Sequence, residues 1–133
     1  MYFFKIISGE LESYKIYEDE FSFVILDINP INPGHVLVLT KKHYNKLSEI
    51  DEMEASDIFR IIKKIEKIVA GSGCTGTNVL QNNGKDAGQE IAHVHFHIIP
   101  RFKNDGFRFK IHKVNVTPQM LEYSMKYYIS KLT

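Results

Sequence analysis

Cysteine is nearly absent from this chain: Cys74 is the single thiol among 133 residues, which rules out an internal disulfide and fits a reducing cytosol. A charge bias is absent as well, since 17 basic and 16 acidic side chains leave a net charge of +1, mixed along the sequence. Such a surface gives no electrostatic case for nucleic acid or for a membrane as partner. No apolar run approaches a membrane span, and the stretch Met1 to Glu12 turns polar too soon for a signal peptide. Repeats, low-complexity tracts and interdomain linkers are also missing. These absences leave a cytoplasmic chain, residues 1–133 read as one domain, long enough to bury one core.

What the sequence does contain is concentrated. His93, His95 and His97 fall at every second position, with Val94, Phe96, Ile98 and Ile99 between and after them. Strict alternation among β-branched and aromatic residues reads as a strand, so the three imidazoles share one face while Val94, Phe96 and Ile98 turn to the core. Pro100 is expected to end this strand, having no N–H for a ladder. Three readings compete for the histidines: an accidental polar face, a zinc site, or a nucleophilic histidine held between two supporting ones. The flanks favour the last. Asn82 to Glu90, with Gly84 and Gly88 in it, and Pro33-Gly34-His35 supply amide side chains and free backbone N–H groups, neutral donors suited to phosphate oxygens. A zinc site would sooner gather carboxylates around its ligands.

The remaining elements follow from pattern. A short helix or turn (3–7) leads to strands near 14–17, 21–27 and 35–40, with the turn-rich Asn29 to Gly34 before the third. Ser48 to Asp51 reads as a capping box opening a long helix that carries Ile58, Ile61, Ile62, Ile65, Ile68 and Val69 and stops at Gly71. Strands near 77–81 and 93–99 follow, and Thr117-Pro118 starts a C-terminal helix rich in tyrosine. Lys41, Lys42 and Lys46 read as a solvated strand-to-helix junction. The order gives an α+β domain, a mostly antiparallel sheet with one long helix over a face. The isoleucine stripe suits a protomer core or a dimer contact equally.

"GQEIAHVHFHIIPR" resembles the H-x-H-x-H signature of the histidine-triad (HIT) superfamily, and residues 3–43 resemble that family's N-terminal half, including Asp27-Ile28-x-Pro30-x-x-Pro33-Gly34-His35. The resemblance spans roughly residues 3–102. It implies a five-stranded HIT-like fold whose sheet continues across a homodimer, with no cofactor and no nucleic-acid partner. It implies His95 as the nucleophile attacking the α-phosphorus of a nucleotide, a backbone carbonyl near His93 holding its other nitrogen, and His97 with His35 as an orienting pair. Asn82, Gln89 and the main chain around Glu90 match phosphate ligands, Asp27 matches a ribose acceptor, and Phe3, Ile6, Ile25 and Ile28 fall where the family builds its base slot. Asp27 reads nearly as well as a turn-starting residue, and the four apolar residues, without the resemblance, as plain core.

Two departures stand out. Glu90 replaces the Ser or Thr that many relatives carry. Met1 and Phe4 occupy the places of a Cys-x-x-Cys pair that, in some bacterial relatives, binds zinc with the counterparts of His43 and His93, so no metal is expected. The resemblance implies a Hint-like hydrolase that cleaves a purine nucleoside 5′-monophosphate from an amine or similar leaving group. The alternatives are a diadenosine polyphosphate hydrolase of the Fhit type and a nucleotide-binding regulatory protein with incidental hydrolysis.

Overall fold

The computed structural model describes residues 2–133. The chain runs α1 (Tyr2–Ile7), β1 (Lys15–Glu18), β2 (Ser22–Leu26), β3 (Val36–Thr40), α2 (Glu52–Ala70), β4 (Gly76–Leu80), β5 (His95–Arg101) and α3 (Pro118–Leu132). Single 3-10 turns at Leu47–Glu49 and Lys85–Ala87 interrupt the connections. The five strands form one antiparallel sheet in the order β1-β2-β3-β5-β4, the α+β architecture expected.

Both central strands β2 and β3 are covered on two faces, which is why Ser22–Leu26 and Val36–Thr40 read as near-continuous apolar runs rather than alternating ones. One cover is α2. Its Ile58, Ile61, Ile62, Ile65 and Val69 pack on Val24, Val36, Val38 and Ile98 of the sheet. Each such isoleucine, fully buried, contributes roughly 1.5–3 kcal/mol of transfer free energy. The stripe therefore serves the protomer core, apart from Ile68, which is exposed. The other cover is α1, where Phe3 and Ile6 pack on Phe23, Ile25, Leu37 and Leu39.

Three local expectations need correction. Asp51, not Ser48, caps α2: its side chain accepts from the Met53 amide at 3.0 Å, while Ser48 lies in the preceding 3-10 turn. His93 precedes β5, which begins at His95. Pro100 does not end that strand, which continues to Arg101 opposite Gly76. The Pro100 carbonyl accepts from Asn32 Nδ2 at 2.9 Å, on the side where pairing with β3 has stopped at Val36–Ile98, so no ladder donor is missed. Thr117 caps α3 as expected, accepting from the Met120 amide at 3.2 Å, yet no residue of that helix is buried. Among the described residues, no helix is long and apolar enough to cross a membrane.

Candidate active site

Alternation along β5 decides which side chains meet. Phe96 and Ile98 turn toward α2, and His95 and His97 turn to the opposite face, beside Phe3 and a loop-bounded cavity of about 580 Å³. That volume suits a nucleotide-sized ligand. Leu37 of β3 and Leu80 of β4 lie across from His97 in the ladders and line the same cavity. Neither drew notice in the sequence, although the register of alternating strands brings both to this face.

Backbone groups fix the protonation pattern of the histidines. His95 Nδ1 lies 2.7 Å from the carbonyl oxygen of His93, which only accepts, so Nδ1 carries the hydrogen and Nε2 keeps its lone pair. His93 is itself buried, its Nε2 donating to the Thr40 carbonyl at 2.7 Å. Its remaining nitrogen accepts from His43 Nδ1 at 3.2 Å. His93 thus supports the site from behind and does not line the cavity.

A second chain starts at the Ile31 amide, which donates to His35 Nδ1 at 3.1 Å. Neutral His35 must then carry its hydrogen on Nε2, which donates to His97 Nδ1 at 2.9 Å. His97 in turn keeps its hydrogen on Nε2. The Ile31 amide is a positioning group that sequence reading missed, because its role depends on a loop geometry no side-chain pattern announces.

Burial lowers the pKa of His35, His93, His95 and His97. Desolvation dominates for His95, opposed by its bond to the His93 carbonyl and by the carboxylates of Asp27 and Glu90. His97 falls furthest, to about 4, through desolvation and then its imidazole neighbours His95 and His35. His35 and His93 are lowered chiefly by burial. At neutral pH the site therefore presents uncharged imidazoles, the form in which a ring nitrogen is a nucleophile.

Asp27 performs two tasks at once. One carboxylate oxygen accepts from the Asn29 amide at 2.9 Å and starts the turn, and the other lies 3.6 Å from His35 Nε2 on the cavity wall. Asp27, His35 and His97 come close enough to suggest a metal site. The donor set argues against one: His35 Nδ1 already accepts a hydrogen bond, so its Nε2 is a donor and not a free ligand. His43 and His93 approach each other, but among the described residues no thiolate or carboxylate completes a cluster with them. Phe4 is exposed on α1, and Met1 lies outside the described residues.

The other expected residues divide. Phe3, Ile25 and Ile28 line the cavity, while Ile6 is buried beneath them in the α1 cluster. Asn82 and Glu90 line it too. Among the described residues, the amides of Glu90, Ile91 and Ala92 donate to no protein acceptor. Gln89 is turned elsewhere: its side chain accepts from the Gly84 amide at 2.8 Å and donates to the Asn45 carbonyl at 2.7 Å. It braces the loop and lines a neighbouring cavity rather than the one that His95 and His97 face.

Comparison with known proteins returns one architecture. Residues 8–104 match the HIT domain family model. An uncharacterised HIT-like protein of Methanocaldococcus jannaschii is 47% identical over 104 residues, covering 78% of this chain and 81% of that protein. The Schizosaccharomyces pombe protein named adenosine 5′-monophosphoramidase hnt1 is 42% identical over 99 residues, covering 74% and 72%. The crystal structure of a HIT family member from Bacillus subtilis superposes with a TM-score of 0.90 at 35% identity, covering 98% of this chain and 96% of that one.

Proposed function

Because this chain belongs to the HIT family, we propose that it is a nucleotide hydrolase that releases AMP, or a similar purine nucleoside 5′-monophosphate, from an amine. One observation carries the reading: His95 donates its Nδ1 hydrogen to the His93 carbonyl, which leaves Nε2 with a free lone pair, and the residue stands on the wall of a nucleotide-sized cavity. The phosphoramidase name of the S. pombe relative supports the substrate class.

The geometry suits two displacements. The Nε2 lone pair attacks the α-phosphorus, the phosphorus–nitrogen bond breaks, and the amine leaves with a proton taken from solvent. Water then attacks the nucleotidyl-histidine, gives up a proton, and returns the electron pair to Nε2 as AMP departs. Neutral His97 contributes a hydrogen bond rather than a proton, because its pKa of about 4 leaves no acid to donate at pH 7. The loop amides of Glu90 to Ala92 and the Asn82 side chain supply donors for charge on the phosphoryl oxygens. The apolar wall of Phe3, Ile25 and Ile28 takes the base, and the cavity-facing oxygen of Asp27 takes the ribose hydroxyls.

A cytoplasmic homodimer is part of the same reading. Strand β4 leaves one sheet edge open beyond β5, and residues 108–133 expose Val116, Leu121, Tyr128 and Leu132 without burying one residue. Light scattering on the eluting protein should give twice the chain mass; a monomer at micromolar concentration would remove this element. For the reaction, acid quench with adenosine phosphoramidate labelled in the nucleotide should leave label on His95. Label on another histidine, or AMP release with no adduct at any time point, would overturn the mechanism.

A further inference from the structure

A second cavity, of about 690 Å³, adjoins the first and shares Gly88 and Glu90 with it. Its other walls include Lys46, Lys85 and Gln89. The nucleotide reading assigns nothing to this space. The two cavities meet at Glu90, so the second is the free space that adjoins the one His95 and His97 face.

The three lysines taken together as a solvated junction separate in the structure. Lys41 pairs with Glu18 at 2.6 Å, and Lys42 lies over the Tyr44 ring. Lys46 alone joins the cavity, where it meets Lys85 from the following loop. Among the described residues, neither of these two forms an ion pair.

The loops carrying them are braced to one another. Asn45 and Leu47, on either side of Lys46, are bonded through their backbones to Gln89 and to Asn83, at 2.7 and 2.8 Å. Gly84, just before Lys85, donates to the same Gln89 side chain. Gly84 and Gly88 both take positive φ, 95° and 93°, confining Lys85 to a single 3-10 turn between two tight corners. Two solvent-exposed lysines with no ion pair among the described residues thus stand at one cavity on loops that a hydrogen-bonded frame braces.

Resting on the phosphoramidase reading, we propose that this cavity receives the leaving group and selects amines that carry an anionic group. The amine nitrogen lies toward Glu90, whose carboxylate accepts from it as it departs. The acidic end, a carboxylate or a phosphate, lies toward Lys46 and Lys85. An uncharged amine gains only the first contact, and an anion without an amine meets the Glu90 carboxylate.

The test compares AMP phosphoramidates of ammonia, ethylamine, β-alanine and phosphoethanolamine. The wild-type enzyme should show kcat/KM about tenfold higher for the two acidic amines than for ethylamine, as expected of a charge-assisted contact. Lys46→Ala and Lys85→Ala should each remove most of that preference and leave turnover of the unsubstituted phosphoramidate within about twofold. Lys46→Arg and Lys85→Arg should largely retain the preference. The β-alanine and phosphoethanolamine arms separate a carboxylate ligand from a phosphate one. Equal kcat/KM for ethylamine and both acidic amines, or a preference that survives both alanine variants, would overturn the proposal while leaving the hydrolase reading intact. Failure of the wild-type enzyme to release AMP from the unsubstituted compound would overturn the hydrolase reading, and this inference with it.

Discussion

The two faces of this sheet are built from the same strands and do opposite things. Toward α2, Val24, Val36, Val38 and Ile98 meet a row of isoleucines in dry, complementary packing. On the other face, β5 turns His95 and His97 toward a cavity, and burial there depresses imidazole pKa values. The first face supplies stability and has no chemistry. The second gives up some stability to keep imidazoles neutral and oriented. Because side chains alternate, a one-residue register slip in β5 would exchange the two faces, so the packing of Phe96 and Ile98 also aims His95. That division of labour makes effects on activity and effects on stability separable by mutation.

The largest separation should come from His95→Ala. Removing the proposed nucleophile should lower kcat by at least about 10³-fold, roughly 4 kcal/mol of barrier. AMP affinity should change little, since the proposed base, ribose and phosphate contacts come from other residues. The melting temperature should hold or rise slightly, because a desolvated polar ring is removed. Steady-state kinetics, calorimetric AMP binding and thermal denaturation check the three parts. Retention of more than about a tenth of wild-type kcat would mean that His95 is not the nucleophile.

Ile61→Ala is the mirror experiment on the opposite face. Ile61 is 2% exposed within the α2 cluster, and losing its side chain leaves a cavity costing about 2–5 kcal/mol. Urea denaturation should show that loss, whereas kcat per folded molecule should stay within about twofold. A large fall in kcat with little change in stability would show the faces to be coupled more tightly than packing implies.

Much of this contrast was legible in the sequence. The period-2 run from His93 to Ile98 separates imidazoles from core residues, and the isoleucine spacing in α2 marks the helix that covers them. Element order and the antiparallel class followed from turn residues between the runs. Legibility failed where the deciding partner is distant or is backbone. Gln89 reads as a phosphate donor in the sequence, and its bracing of Gly84 and Asn45, 5 and 44 positions away, had no signal there. Pro100 looked like a strand terminator because which of its sides faces an unpaired stretch depends on where β3 starts. Ser48 looked like a cap because Asp51, three residues on, offers the same chemistry one turn later. The Ile31 amide had no signal at all.

Acidification from pH 7 should load the histidine face first, ahead of the carboxylates of Glu18, Asp19 and Asp105, whose lowered pKa values tell only as the pH nears the ordinary carboxylate range. The sign follows from linkage: His97 titrates near 6.5 when unfolded and at about 4 when folded, so the unfolded chain binds more protons between those values. Stability from this group is therefore full above about pH 6.5 and is lost as pH falls toward 4. The lowered pKa values of His35, His93 and His95 act in the same direction. After allowance for partial exposure, the melting temperature should drop by roughly 5–10 °C between pH 7 and pH 4.5. Replacing His97 by Asn should reduce the pH sensitivity, whereas Ile61→Ala should shift the whole curve without changing its slope. An unaltered slope in the His97 variant would refute the assignment.

Glu90 belongs to neither face, and its effect should be the smallest. It stands at the lip shared by the two cavities, close enough for its carboxylate to favour protonation of His95. No side-chain hydrogen bond ties it to the fold among the described residues, so Glu90→Ser should leave the melting temperature unchanged. A carboxylate there opposes a leaving group that departs with negative charge and favours one that departs as an amine. Two like charges about 4 Å apart cost on the order of 1–4 kcal/mol, with the lower end appropriate to an exposed side chain. Glu90→Ser should therefore raise kcat/KM for diadenosine tetraphosphate relative to adenosine phosphoramidate by about three- to tenfold at low salt. Added salt should narrow the difference between wild-type and variant, as screening predicts for a Coulombic cause and not for a steric one. A ratio that stays constant on substitution, or that changes equally at low and high salt, would show that Glu90 does not sort leaving groups by charge.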